Sequence, residues 1–156
     1  MDLNNKLWVF QSNRVLSSVE ENQISEILSN FLDSWAAHGA DLKSNLKILD
    51  HKFIIIEVDE NQTKASGCSI DSLNQCIRQI DAEYNLELLN RLLVSFESKD
   101  GKLETIPMKQ FKEKIKTSEI DGNSYVYNLS VSSPEEFQSQ FKLPLKESWA
   151  KSYLTS

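Results

Sequence analysis

Apolar positions recur along this chain in two periods, and together they lay out an α+β protein. Leu7 to Phe10 is a short run apolar on both faces, which predicts a central strand. Ser18 and Glu21 match the S-x-x-E capping box and place a helix start at Ser18. Ile24, Ile27, Leu28, Phe31, Leu32 and Trp35 then form one broad helical stripe, and Gly39 is positioned to end it in a left-handed conformation. Two strand-like runs follow, Leu46 to Leu49 and Phe53 to Val58, hinged at Asp50–His51; the second is apolar on both faces until Glu57. A polar loop, Asp59 to Ser66, leads into a second helix near Ser69 with the stripe Ile70, Leu73, Ile77, Ile80 and Tyr84. Leu92 to Phe96 is a further strand, and Lys99-Asp100-Gly101-Lys102 turns it into a hairpin with Leu103 to Ile106.

Strand–helix–strand–strand–helix–strand is the ferredoxin-like, split βαβ order, an antiparallel sheet with two helices on one face. Its central pair is the first and third strands, the two that are apolar on both faces here. Such strands need a cover on the side away from the helices. The last third is expected to supply it, with a short helix around Phe111 and Ile115, a strand from Tyr125 to Leu129, and a helical region opened by Ser133 and Glu136. Pro134 sits at the first helical position and Pro144 breaks the region in two. The expected organisation is a core over residues 1–98 and an extension over 99–156 packed on it, as a monomer or weak homodimer.

Composition narrows the class. The chain has 156 residues, 40% hydrophobic and 26% charged, which suits one globular domain with an appendage. Met1 to Lys6 is polar, and the apolar run that follows is too short for a signal peptide. The longest apolar stretch, Phe53 to Ile56, falls far below the ~20 residues of a membrane span, so a soluble protein without membrane contact is expected. Cys68 and Cys76 make neither a disulfide framework nor a CxxC motif. On one helix their eight-residue spacing puts them ~12 Å apart, beyond disulfide reach, which fits reduced thiols in a cytoplasm. A net charge of −6 argues against nucleic acid as a partner. Lys109, Lys112, Lys114 and Lys116 are the densest basic group, but Glu113 interrupts them and they read as a solvated helix face.

Candidate chemistry follows from the topology. His38-Gly39, Asp59-Glu60 and Ser66-Gly67-Cys68-Ser69 are expected at one end of the sheet. Gln11 to Arg14 belongs at the other, with Asp50-His51 and Tyr84 to Arg91. Cys68 opens a helix, where free amides and the dipole stabilise a thiolate. With His38 as base and Asp59 as orienter it makes a nucleophile set; alternatively it is a small residue packed at a tight turn. The same helix start, with Ser66, Gly67 and Ser69 and the nearby Glu60 and Asp71, either binds a small anionic ligand or is simply capped by Ser69. Gln11, Ser12, Asn13 and Arg14 either hold a polar molecule or a protein partner, or form a turn in which Arg14 pairs with Glu20 or Glu21. No spacing resembles a metal site, and no cofactor is implied. Trp8, Phe10 and Phe53 read as core residues rather than a base-stacking sheet.

Three segments resemble a family of short bacterial proteins that often carry the label "ABC transporter ATPase". They are Trp8-Val9-Phe10-Gln11-Ser12-Asn13-Arg14, Trp35-Ala36-Ala37-His38-Gly39, and Val58-Asp59-Glu60 with Ala65-Ser66-Gly67-Cys68-Ser69-Ile70-Asp71. The similarity runs on through Pro144-Leu145-Lys146-Glu147-Ser148-Trp149. The family implies no established activity, and its label fails on chemistry. A P-loop needs two glycines five positions apart followed by Lys-Ser/Thr, so that backbone amides wrap the phosphates. Here the only Gly-Lys is Gly101-Lys102, with Phe96 upstream and Leu103 after it. More loosely, Lys102 to Leu129 is similar to the helix-and-strand portion of GYF-type adaptor domains, through the helix around Phe111, Glu119-Ile120-Asp121-Gly122 and Tyr125-Val126-Tyr127. The Gly-Tyr-Phe triplet itself is missing. The leading expectation is a binding or interaction protein taking a small anionic ligand or a protein partner; the alternative is a small cysteine-dependent enzyme built on Cys68, His38 and Asp59/Glu60.

Overall fold

The best-marked helix starts at Ser18 as its capping box predicts, but the capping residue is Ser17 rather than Ser18. In the computed structural model, which describes residues 5–155, α1 runs Ser18–Asp33 with Ser17 as its N-cap. The run Ser17-Ser18-Val19-Glu20-Glu21 satisfies the S-x-x-E pattern in two frames. The earlier frame wins because Glu20 then serves twice, accepting from Ser17 N (2.9 Å) and from the Arg14 guanidinium. Glu21 is thereby released to His51. The helix buries Ile24, Leu28 and Leu32 and stops at Ser34.

Gly39 does not cap that helix. His38 and Gly39, both at positive φ (52° and 79°), make the two-residue turn between β2 (Ala36–Ala37) and β3 (Ala40–Asp41). The chain has by then left the helix through Trp35, which is buried and donates its indole N–H to Ser69 O (2.8 Å).

β1 (Asn5–Gln11), β4 (Lys43–Leu49) and β5 (Phe53–Asp59) form a three-stranded antiparallel sheet ordered β1-β5-β4. The β4–β5 turn closes with Lys52 N to Leu49 O (3.1 Å), and Asp50 and His51 both sit at φ 55°. β5 is central and buried on both faces, as its isoleucine run predicts. α2 (Gly67–Tyr84) is opened by a reciprocal Ser66–Ser69 capping box and ended by Asn85 in the left-handed region. It joins α1 over the sheet to bury Phe10, Ile54, Ile56 and Val58 with Leu73, Ile77 and Ile80.

The fourth strand expected for this sheet lies elsewhere. β6 (Leu93–Glu97) belongs to a second antiparallel sheet ordered β7-β6-β8-β9, with β7 (Leu103–Pro107), β8 (Tyr125–Tyr127) and β9 (Lys142–Pro144). A turn at Gly101 (φ 80°) joins β6 to β7 in a five-pair register, a local closure that costs far less chain entropy than a return to β1. Val94 and Phe96 have their own core there, with Phe111 and Ile115 of α3 (Met108–Lys116) and with Ile120, Val126, Leu145 and Ala150. On the outer edge of β1, Leu7 N instead bonds Ser132 O (3.1 Å), just before α4 (Pro134–Gln140).

The chain thus forms two compact units. One comprises residues 5–89 with Ser132–Glu135, and the other Asn90–Val131 with 136–155. The boundary falls before β6 rather than after it, because β6 pairs only within the second unit. Among the described residues, no helix is long and apolar enough to cross a membrane.

Candidate functional sites

At one end of the first sheet, the residues expected to converge do so, and they bind one another. Ser12 N bonds Lys52 O (3.0 Å), Asn13 N bonds Leu86 O (2.8 Å) and Leu16 N bonds His51 O (2.8 Å). Ser12 Oγ donates to Arg14 O (2.6 Å) and accepts from Arg14 N (3.2 Å), closing a serine turn. Asn13 Nδ2 reaches Glu87 Oε2 (2.9 Å). Arg14 grips both oxygens of Glu20 (2.8 and 2.6 Å) and bonds Tyr84 O at the end of α2 (3.3 Å). That fork, with the Ser17 amide second, pulls the Glu20 carboxyl down to about 2, and Glu20 raises the Arg14 guanidinium in return. His51 Nδ1 meets Glu21 Oε2 at 2.5 Å, and the bond to Glu21 raises the imidazole above its ordinary value.

Beneath this surface layer lies a buried polar set of Gln11, Ser12 and Lys52. Lys52 is only 2% exposed and its ammonium points to Ser12 O (3.4 Å). Burial alone pushes it from 10.5 down to about 8. Lys52 had no place among the predicted site residues. A lysine inside the turn of an otherwise apolar hairpin is the signal that marks it.

At the opposite end the backbone comes together, while the proposed catalytic side chains do not bond. Trp35 ties the end of α1 to Ser69, and β2 lies against α2. Ser66 Oγ accepts from Ser69 N (3.1 Å) and Ser69 Oγ accepts from Ser66 N (2.6 Å). The nearly buried Glu60 takes the Ala65 amide (2.7 Å) and lies 4.0 Å from Lys6 Nζ. Asp59 closes a turn onto Asn61 (3.0 Å) and pairs with Lys43 (3.7 Å). His38, Gly67, Cys68 and Asp71 are exposed. Among the described residues, neither the His38 ring nor the Cys68 thiol makes a hydrogen bond, so no bonded nucleophile–base pair is assembled. No group of three or more His, Cys, Asp or Glu is arranged to hold a metal ion among the described residues.

The second unit carries a cleft beside Trp149, a residue absent from the predicted site. β8 and β9 pair Val126 with Leu143, and a short 3-10 turn, Leu145–Glu147, follows β9 directly. Leu145 and Ala150 are fully buried and pin this turn on both sides of Trp149. Trp149 nevertheless stays 42% exposed. Its ring stacks on the buried Phe111 (centroids 6.0 Å, 23° between planes), meets Tyr153 edge-on, and donates Nε1–H to Tyr127 O (3.1 Å). Beside it opens a cleft of about 320 Å³ lined by Val126, Leu143, Asn128, Gln140, Glu147 and Trp149. A larger depression, about 480 Å³, includes Glu97, Asp121 and Tyr125, but its carboxylates are already paired with Lys142 (2.7 Å) and Lys99 (3.5 Å).

No protein-family model matches the chain, and neither a curated protein nor a solved structure matches it.

Proposed function

We propose that this chain is a binding protein, and that its second unit presents the Trp149 cleft to an extended segment of a protein partner. One observation carries the reading: a large aromatic ring is held rigid by three neighbours yet left 42% exposed at the wall of a cleft. Tryptophan contributes most to interfaces when it is pre-positioned, because ordering a free side chain on binding costs about 0.5–1.5 kcal/mol. The resemblance of Lys102 to Leu129 to GYF-type adaptor domains points the same way, and that segment falls wholly within the second unit. The other candidate regions have spent much of their polar capacity internally, although Asn13 Oδ1 is buried without a partner and the His38 ring and Cys68 thiol are unbonded among the described residues. Arg14 is on Glu20, Asn13 on Glu87, and the Ser66, Ser69 and Ala65 amides are already bonded at the start of α2.

Panning random linear peptides on the immobilised chain tests this, with Trp149→Ala and Gln140→Trp as counter-selections. Gln140 is exposed, and tryptophan there fills the cleft without removing core packing. Peptides retained by the parent chain and lost from both variants are expected. Peptides recovered equally from all three would overturn the reading.

A further inference from the structure

Glu147 stands at the rim of the Trp149 cleft and, among the described residues, makes neither a hydrogen bond nor an ion pair. Its basic neighbours are engaged elsewhere. Lys142 is held on Glu97 (2.7 Å) with its ammonium over the Tyr125 ring (5.0 Å), and Lys146 is held on Asn123 Oδ1 (3.0 Å). Lys112 lies over the Tyr153 ring at 4.7 Å. The carboxylate is therefore an exposed side chain with no ion-pair partner among the described residues.

The ring beside it suits a cation: with Nε1–H spent on Tyr127 O and one face stacked on Phe111, the opposite face of Trp149 is the negative side of the aromatic quadrupole. The floor, Val126 and Leu143, is aliphatic and suits a methylene stem. Gln140, which forms no hydrogen bond among the described residues, can turn its amide oxygen inward. An apolar occupant would leave Glu147 without a role, and an anion would be repelled by both the ring face and the carboxylate.

From these features we infer that the cleft takes a basic side chain, lysine or arginine, with its stem on Val126 and Leu143 and its charged head between the Trp149 face and Glu147. This rests on the binding reading above and adds to it the chemistry of the partner: an extended segment with a basic residue at a fixed position. Exposed cation–π contacts and surface ion pairs are each weak, so Glu147 is expected to contribute about five-fold in affinity, a contribution that added salt screens away.

The test uses the full chain and the peptides from the panning described above. Recovered peptides are expected to align on one lysine or arginine. Replacing that residue by norleucine, or making Glu147→Gln, is expected to weaken binding by about five-fold each, and the two changes together by little more than either alone. Peptides that depend on Trp149 but show no basic position, or that bind Glu147→Gln as tightly as the parent, would overturn the inference and leave the binding reading standing. If no peptide depends on Trp149, the binding reading falls and takes the inference with it.

Discussion

Replacing Lys52 by methionine should make the protein more stable near neutral pH, although it removes the polar interactions of the ammonium, the bond to Ser12 O among them. The ammonium is 2% exposed, and its value falls from 10.5 to about 8 through desolvation. Each unit corresponds to about 1.4 kcal/mol, so holding the charge in the fold costs at most about 3 kcal/mol at neutral pH. The ammonium's interactions, among them a long bond to Ser12 O at 3.4 Å, return only part of that. Methionine fills the same volume without a charge, and a net gain of about 1–2 kcal/mol is expected. The sign of the pH dependence is set by which state holds the proton. Between about pH 8 and pH 10.5 the unfolded lysine binds more protons than the folded one, so wild-type stability rises with pH across that window. Above it the term is constant, and below about pH 8 the full penalty applies. Other groups titrate in alkali too, so the informative quantity is the difference between the two proteins. Urea unfolding at about pH 7 and about pH 9.5 should show the advantage of Lys52→Met shrinking by about 2 kcal/mol. Parallel pH profiles, or a variant less stable at both values, would refute the desolvation argument.

Three further outcomes follow from the same geometry. Ser17→Ala should cost about 1 kcal/mol, whereas Ser18→Ala should stay within about 0.5 kcal/mol; comparing urea midpoints decides which frame caps α1. Glu20 is held down to about 2 against an ordinary 4.5, so its contribution is fully present above about pH 4.5 and is lost as pH falls through about 2. The stability gap between wild type and Glu20→Gln should therefore close on acidification, and an unchanging gap would show that the fork with Arg14 adds nothing. Cys68 is exposed and Cys76 buried, so a thiol reagent should modify one cysteine in the native protein and the second only on unfolding. Rapid modification of Cys68 well below pH 8 would instead favour the cysteine-enzyme alternative.

Legibility in the sequence followed the density of local rules. The α1 stripe and the β4–β5 hairpin about Asp50–His51 each rest on a few adjacent residues and lie at their expected places, and α2 opens within a few residues of Ser69. Pro144, expected to break a helical region in two, instead ends β9, because the helix has already stopped at Gln140. Gly39 misled because positive φ is shared by helix ends and hairpin turns, and only the burial of Trp35 decides between them. β6 misled for a different reason: its alternation predicts a strand, but which sheet it joins depends on competition between the nearby β7 and the distant β1. The convergence of Gln11 to Arg14 on His51 and Tyr84 was readable from topology; the internal pairing of those residues was not, because it depends on side-chain reach. Trp149 was the largest omission. A tryptophan between Glu147-Ser148 and Lys151-Ser152 has few apolar neighbours in sequence, and that isolation is a signal of partial exposure.

The most direct measurement of the binding claim is a peptide titration followed by backbone and indole N–H resonances of the labelled full chain. The chain has three tryptophans, and Trp8 and Trp35 pack together in the first unit, 6.0 Å apart. Shifts are expected at the Trp149 indole and at the amides of Val126, Gln140, Leu143 and Glu147, with Trp8, Trp35 and the Gln11 to Arg14 segment unmoved. Shifts centred on Gln11 to Arg14, or on Ser66 to Ser69, with Trp149 silent would contradict the account.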